Sequence, residues 1–285
     1  MKIISFISEL IVSFLYSIVK LIHSLPILGK RILWKSIPES IRSFNFLYPN
    51  NFFIPKMKGL VVNERSFMRM SNVYKKEPQT FNFLNELNQN DILWDIGANI
   101  GQISIPLAIK NKFKIVCFEP EPSNFFILVN NVYLNNLSSQ IFLCNIALHN
   151  DDNFISLPFS KSNIGFSDAG RSMLSVENIK SEKDENDAVF LPGMKGETFY
   201  HNNPDLLPSA IKLDVDGNEI KVLEGLGEIL SNKKLKRIVI ETVFKGKDKN
   251  YEEILQLLIN HNFKRVKEFE DLAKKDIKNL FFHRN

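Results

Sequence analysis

Residues 91–108 read DILWDIGANIGQISIPLA: an apolar run that closes on an acidic residue, a turn broken by two glycines, and a second apolar run. The stretch "ILWDI" (92–96) predicts a buried strand, and "QISIPLAIK" (102–110) predicts a helix. Pro106 falls near the first turn of that helix, where a missing N–H costs little. Gly97 and Gly101, on either side of Asn99, allow a tight turn and a close approach by a ligand. The helix start is expected to offer unpaired N–H groups. Strand, glycine turn and helix in this order are how a nucleotide-like cofactor site begins in an α/β sheet.

The alternation continues on both sides. "FNFLNELNQN" (81–90) reads as a helix, "KIVCF" (114–118) as a strand, "SNFFILVNNVYLNN" (123–136) as a helix and "QIFLCNIAL" (140–148) as a third strand. After an interruption, "SAIKLDV" (209–215) and "LKRIVIETV" (235–243) read as further strands. Helices "GNEIKVLEGLGEIL" (217–230) and "YEEILQLLINHN" (251–262) follow them in turn. "FKRVKEFE" (263–270) and "NLFFHRN" (279–285) read as two closing strands, an antiparallel edge pair. Such an order predicts an α/β domain over residues 81–285 with parallel strands and right-handed crossovers. Residues 149–209, rich in Ser, Asn, Asp, Gly and Lys, read as an irregular insertion suited to a substrate segment.

Hydrophobic residues make up 44% of the chain and charged residues 24%, which excludes disordered and fibrous classes. Residues 1–60 hold eight Lys or Arg against two Glu, so the net +4 divides into +6 there and −2 over the rest. Residues 1–28 place Ile3, Phe6, Ile7, Leu10, Ile11, Phe14, Leu15 and Ile18 at helical spacing, with Ser8, Glu9, Ser13, Ser17 and Lys20 largely opposite. The uninterrupted apolar run, Leu10 to Val19, is too short to span a bilayer. Two readings stand: a helix packed on protein, or one lying in the inner face of a membrane with Lys20, Lys30, Arg31 and Lys35 near anionic headgroups, on a protein otherwise expected to be cytoplasmic. Residues 29–80 form an extension punctuated by Pro38, Pro49 and Pro55. Cys117 and Cys144 lie in apolar strands and read as buried thiols, and no aromatic and basic stripe points to nucleic acid.

The turn reads G-x-N-x-G, whereas a dinucleotide site calls for G-x-G-x-x-G. With Asp95 two residues before the first glycine, a cationic ligand fits better, and S-adenosylmethionine carries a sulfonium and an amino group. Glu119, 18 residues after Gly101, stands where a carboxylate can accept both hydroxyls of a ribose. Asn145 and Ala147 are placed to border the adenine.

"DIGANIG" (95–101), "FEPEPSNFFILVNN" (118–131), "NIAL" (145–148), "IKLDVDGNEIKVLEGL" (211–226) and "IVIET" (238–242) resemble, in order, the FkbM-type S-adenosylmethionine-dependent methyltransferases. The resemblance implies the class I methyltransferase fold, a doubly wound, Rossmann-like sheet of seven strands with its last pair reversed, and O-methylation of hydroxyls on sugars, polysaccharide precursors or natural products. It assigns Asp95, Gly97, Asn99 and Gly101 to the amino-acid end of the cofactor and Glu119 to its ribose. Asp216 stands where the family commonly has Glu, and Thr198 is followed by Phe199 and Tyr200 where the family tends to have Leu and then Asp.

Methyl transfer to a hydroxyl needs in-line approach and a proton acceptor or a metal. Asp214 is the first candidate, with Lys212 on the same face of the strand and Glu241 as a second base. Asp214, Asp216 and Glu219 together could instead hold a divalent cation, while Asp216 and Glu219 also suit a helix start. His149 and His201 flank the insertion, whose Asn163, Ser167, Arg171 and Ser172 suit a hydroxyl-rich ligand such as a sugar. Two alternatives remain open at this level: an NAD-linked oxidoreductase, and a non-catalytic, membrane-associated cofactor-binding protein.

Overall fold

The computed structural model describes residues 45–48, 57–60, 66, 69–70, 73, 76–158, 174–175, 188–215, 217–243, 249–269 and 277–284. The expected helix over residues 1–28 lies outside them, as do Asp216, Asn163, Ser167, Arg171 and Ser172. Strands β1 (Asn45–Tyr48) and β2 (Met57–Leu60) pair antiparallel, and helix α1 (Pro78–Leu84) follows. The first half of the domain is β3 (Ile92–Ile96), α2 (Ser104–Lys110), β4 (Lys114–Phe118), α3 (Pro122–Leu134) and β5 (Ile141–Cys144). Four further strands, β6 (Ala147–Leu148), β7 (Phe154–Pro158), β8 (Leu174–Ser175) and β9 (Ala188–Met194), form a separate small sheet in the order β6-β9-β7-β8. The second half is α4 (Gly196–Asn202), β10 (Ala210–Leu213), α5 (Glu219–Gly225), β11 (Arg237–Val243), α6 (Lys249–Asn260), β12 (Lys264–Arg265) and β13 (Ile277–His283).

The main sheet has seven strands in the order β12-β13-β11-β10-β3-β4-β5. From β3 the chain winds outward one way through β4 and β5, and from β10 the other way, so β3 and β10 flank the switch point where such sheets bind ligands. Asp95 lies in register with Cys117 on β4 and with Lys212 on β10. Because strand side chains alternate, Trp94, Ile96, Phe118, Ile211, Leu213 and Ile240 share one core layer with Phe199, Val222 and Ile254 of α4, α5 and α6. Leu93, Cys117, Ala210 and Val239 share the other with Phe81, Ile105 and Leu128 of α1, α2 and α3. Met57, Met70 and Val73 of the extension join this second layer, which ties the extension into the domain.

Several expected boundaries move. The first helix occupies Pro78–Leu84 instead of 81–90, because Glu77 and Pro78 start it and the polar Asn85–Asn90 stretch turns instead. The expected third strand divides, with β5 in the main sheet and β6 in the small one. The helix after β10 stops at Gly225 and continues as a 3-10 turn over Gly227–Ser231, where Gly227 has φ +49°. The insertion is more ordered than its composition suggests, holding β7, β8, β9 and α4 among its described residues. The two closing strands do pair antiparallel at the edge of the sheet, but only β13 is reversed: it enters between β11 and β12, antiparallel to both, so β12 is parallel to the rest.

Candidate functional site

The glycine turn closes on itself. Gly97 and Ala98 donate to the Phe118 carbonyl at 2.9 and 3.0 Å, and Gly101 donates to the Ala98 carbonyl at 2.9 Å. Asn99 N–H donates to Glu119 Oε2 at 2.7 Å, and Ile100 N–H to the Asn99 side-chain oxygen at 3.0 Å. In the turn that precedes the helix, the N–H groups of Gly97, Ala98, Asn99, Ile100 and Gly101 all have protein acceptors, because the end of β4 and the turn's own residues satisfy them. Left-handed backbone makes this possible: φ is +81° at Gly97, +51° at Asn99 and +83° at Gly101. A Cβ on Gly97 would lie 1.9 Å from the Asp214 carbonyl, so the turn and the end of β10 approach as closely as glycine allows.

Asp95 is fully buried. Its Oδ2 accepts from Ser104 Oγ at 2.5 Å, and Oδ1 has no hydrogen bond but faces Lys212 Nζ at 3.5 Å. Lys212, 3% exposed, also lies 3.2 Å from Asp214 Oδ2 and 3.5 Å from the Gly97 carbonyl. Burial alone disfavours its ammonium, but Asp214, then Asp95, Glu77 and Glu241, outweigh that and raise its pKa above the ordinary lysine value. Lys212 is therefore a fixed cation that holds two carboxylates and the turn. Asp214 is more open, with a side chain 15% exposed. Glu241, on β11, is half-buried on the strand face of Val239.

Glu119, at the end of β4, takes one backbone N–H on each oxygen, from Asn99 and from Glu121 at 3.0 Å. The Asn124 side chain is a third donor to this carboxylate, so three of its roughly four acceptor sites are taken. Burial, opposed by those N–H groups, pushes its pKa up to about 7. Asn145 Nδ2 donates to the Glu119 and Pro120 carbonyls at 2.8 and 3.1 Å, so it braces the strand end that carries Glu119.

Glu219 begins α5, and its Oε1 accepts from Gly217 N–H at 2.9 Å, the helix-start role open to it from the sequence. Burial raises its pKa. With Asp216 outside the described residues, the proposed cation set Asp214, Asp216 and Glu219 is represented by two members. The group among the described residues whose ligand atoms lie within 4.8 Å of one another is elsewhere: Glu197, His201 and Glu228. His201, half-exposed, lies 2.9 Å from Glu228 Oε1 and is not at the turn. His149 is buried, which lowers its pKa, and its backbone N–H donates to the Met194 carbonyl.

Ser104, Glu77, Arg69 and Gln102 were not singled out by the sequence. Ser104 is a fully buried hydroxyl inside an apolar helix, which is its one sequence signal. Glu77 lies 9% exposed in the field of Lys212, and Arg69 Nη1 donates to Gln102 Oε1 at 3.2 Å.

A seven-stranded sheet with one reversed strand, a glycine turn at the switch point, and carboxylates at the ends of β3 and β4 define the class I methyltransferases, which use S-adenosylmethionine. The buried acidic side chains fit a cationic cofactor, and the acceptor capacity left on Glu119 fits a ribose hydroxyl.

The chain belongs to the FkbM methyltransferase family: the methyltransferase FkbM domain matches residues 95–265. Over 149 residues it is 26% identical to the hexuronic acid methyltransferase AglP of Haloferax volcanii, covering 52% of this chain and 55% of AglP. A 57-residue stretch is 32% identical to the tRNA(Phe) (4-demethylwyosine(37)-C(7)) aminocarboxypropyltransferase of Pyrococcus horikoshii, 20% of each chain. The matches thus span about half of the first relative and a fifth of the second. Among solved structures, M. capricolum TrmK in complex with S-adenosyl-homocysteine aligns with a TM-score of 0.39 at 15% identity, over 72% of this chain and 68% of that one. No helix among the described residues is long and apolar enough to cross a membrane.

Proposed function

We propose that the protein transfers a methyl group from S-adenosylmethionine to a hydroxyl of a sugar in a glycan or glycolipid precursor, with residues 1–28 resting on the inner membrane face. The observation that carries this reading is Asp214, a partly exposed acceptor held at the turn by a lysine that cannot itself take a proton. The cofactor supplies an electrophilic methyl group. Asp214 accepts the hydroxyl proton as the oxygen approaches in line, Lys212 keeps the carboxylate in place, and Glu241 is the second acceptor on the same face. Asp95 and the glycine turn receive the amino-acid end, Glu119 the ribose hydroxyls, and Asn145 the adenine edge. A sugar acceptor is supported by the similarity to AglP, a hexuronic acid methyltransferase.

Calorimetric titration with S-adenosylhomocysteine and with NADH, followed by transfer of labelled methyl groups to uronic acid and neutral hexose glycosides, tests the reading. Selective binding of the former and label on a glycoside hydroxyl are expected, with Asp214→Asn lowering transfer by about 10²-fold or more. Binding without transfer to any hydroxyl acceptor would instead favour the non-catalytic alternative.

A further inference from the structure

A second group of metal-ligating side chains stands away from the cofactor turn, where α4 meets the 3-10 turn over Gly227–Ser231. Glu197 and His201 are four residues apart on α4 and so share one face of the helix. Glu228 meets them from the 3-10 turn: His201 Nε2 lies 2.9 Å from Glu228 Oε1, and one ligand atom of each of the three residues lies within 4.8 Å of the others. Two carboxylates brought this close repel one another unless a cation lies against both, and a neutral imidazole offers that cation a nitrogen ligand.

Packed backbone holds these ligands in place. Asp152 caps α4, accepting from the Lys195 N–H and from the Thr198 hydroxyl, each at 2.8 Å. Phe199 of the same helix is buried against Trp94 and Phe118, and Ile229 and Leu230 bury the 3-10 turn. Glu197 is fixed from the other side as well. Its Oε1 accepts from the Glu228 backbone N–H at 3.1 Å, and a Cβ on Gly227 would lie 2.5 Å from its Oε2, so the carboxylate fills the space that this glycine leaves. A hydrogen bond of that kind orients a metal-binding carboxylate before the ion arrives.

We propose that Glu197, His201 and Glu228 form a site for a divalent transition-metal ion, Zn²⁺ being the ion that the set fits best. Ligand atoms around one tetrahedral Zn²⁺ stand roughly 3.3–3.6 Å apart. That spacing falls between the 2.9 Å of the His201–Glu228 pair and the 4.8 Å limit of the group, so rotation of exposed side chains is enough to enclose the ion. The imidazole nitrogen selects against Mg²⁺ and Ca²⁺, which take oxygen ligands. Three protein ligands leave a fourth position to water. The bound ion ties α4 to the turn that follows α5, whereas without it His201 and Glu228 make a weak exposed pair. The site is apart from methyl transfer and does not rest on the S-adenosylmethionine reading.

The test is calorimetric titration of the full chain, stripped of metal with EDTA and desalted, with zinc chloride and with magnesium chloride. Saturable Zn²⁺ binding with a Kd in the micromolar range is expected, with no comparable Mg²⁺ binding. His201→Ala and Glu228→Gln should each raise the Zn²⁺ Kd by about 10-fold or more. Both variants should melt close to the unaltered protein when metal-free, because the pair they remove is exposed. Added Zn²⁺ should raise the melting temperature of the unaltered chain and leave that of His201→Ala where it was. Absence of saturable Zn²⁺ binding, or binding that either variant leaves unchanged, would overturn the proposal. Mg²⁺ binding as tight as that of Zn²⁺ would overturn it too, since it would mark an acidic surface in place of a transition-metal site.

Discussion

On β3, Trp94 and Ile96 enter the layer with α4, α5 and α6, whereas Leu93 shares the opposite layer and Asp95 lies on that same strand face. The neighbouring strands repeat the division, with Ile211 and Leu213 on one face of β10 and Lys212 on the other. The first face is apolar and aromatic: Trp94, Phe118 and Phe199 meet edge-on with ring centroids 5.0–5.4 Å apart. The second face carries, in register across three strands, Cys117, Asp95 and Lys212. One face can fill space with shape alone, while the other must balance charges that water cannot reach. The same alternation that builds a core on one side thereby isolates a charged row on the other, next to the cofactor turn.

Substitutions should separate the two faces. Lys212→Met leaves Asp95 buried without its cation and should cost about 3–5 kcal/mol in chemical denaturation, with part of the loss recovered in the Lys212→Met/Asp95→Asn pair. Trp94→Ala on the apolar face should cost a similar ~3–5 kcal/mol, yet no charge substitution should rescue it. If Asp95→Asn rescues neither or both, the contrast between the faces breaks. Gly97→Ala comes next: a Cβ within 1.9 Å of the Asp214 carbonyl, at φ +81°, should cost more than about 2 kcal/mol by thermal melting.

Glu119→Gln weakens a charge-assisted contact to ribose and should raise the Kd for S-adenosylhomocysteine by about 10-fold or more, with a smaller effect on the melting temperature. The same residue sets a pH dependence. Its pKa is raised in the folded protein to about 7, so the stability linked to its proton is present below the usual carboxylate range and lost as pH rises through 7. Ribose hydroxyls favour the ionised form, so cofactor affinity should move the opposite way, falling as pH drops below about 7, and calorimetry in buffers of different ionisation enthalpy should detect proton release on binding. The smallest effect belongs to the exposed surface. His201→Ala removes a pair with Glu228 whose side chains are 57% and 56% exposed, and should change stability by less than about 1 kcal/mol and cofactor affinity not at all.

How much of this the sequence discloses depends on whether a feature is local. The strands around "ILWDI", "KIVCF" and "IKL" are legible because a short apolar run between turn residues has few other uses. Asp95 and Glu119 stand out because they close such runs. Ser104, Glu77 and Arg69 do not, since their positions come from packing between segments distant in the chain. The strands β7 and β9 are hidden by Pro158, Pro192 and Gly193 and by polar surroundings. The place of β13 is hidden for another reason: the order of strands in a sheet is a global property, and nothing in "NLFFH" tells it to enter between β11 and β12.

That insertion has a consequence for assembly on the ribosome. β12 emerges before β13, yet it has no partner in the sheet until β13 arrives, and β11 keeps an open edge for as long as the intervening chain is being made. An open edge on a buried hydrophobic strand is a template for pairing with another nascent chain. The edge of β11 is therefore open to such pairing from the time it is made until β13 covers it.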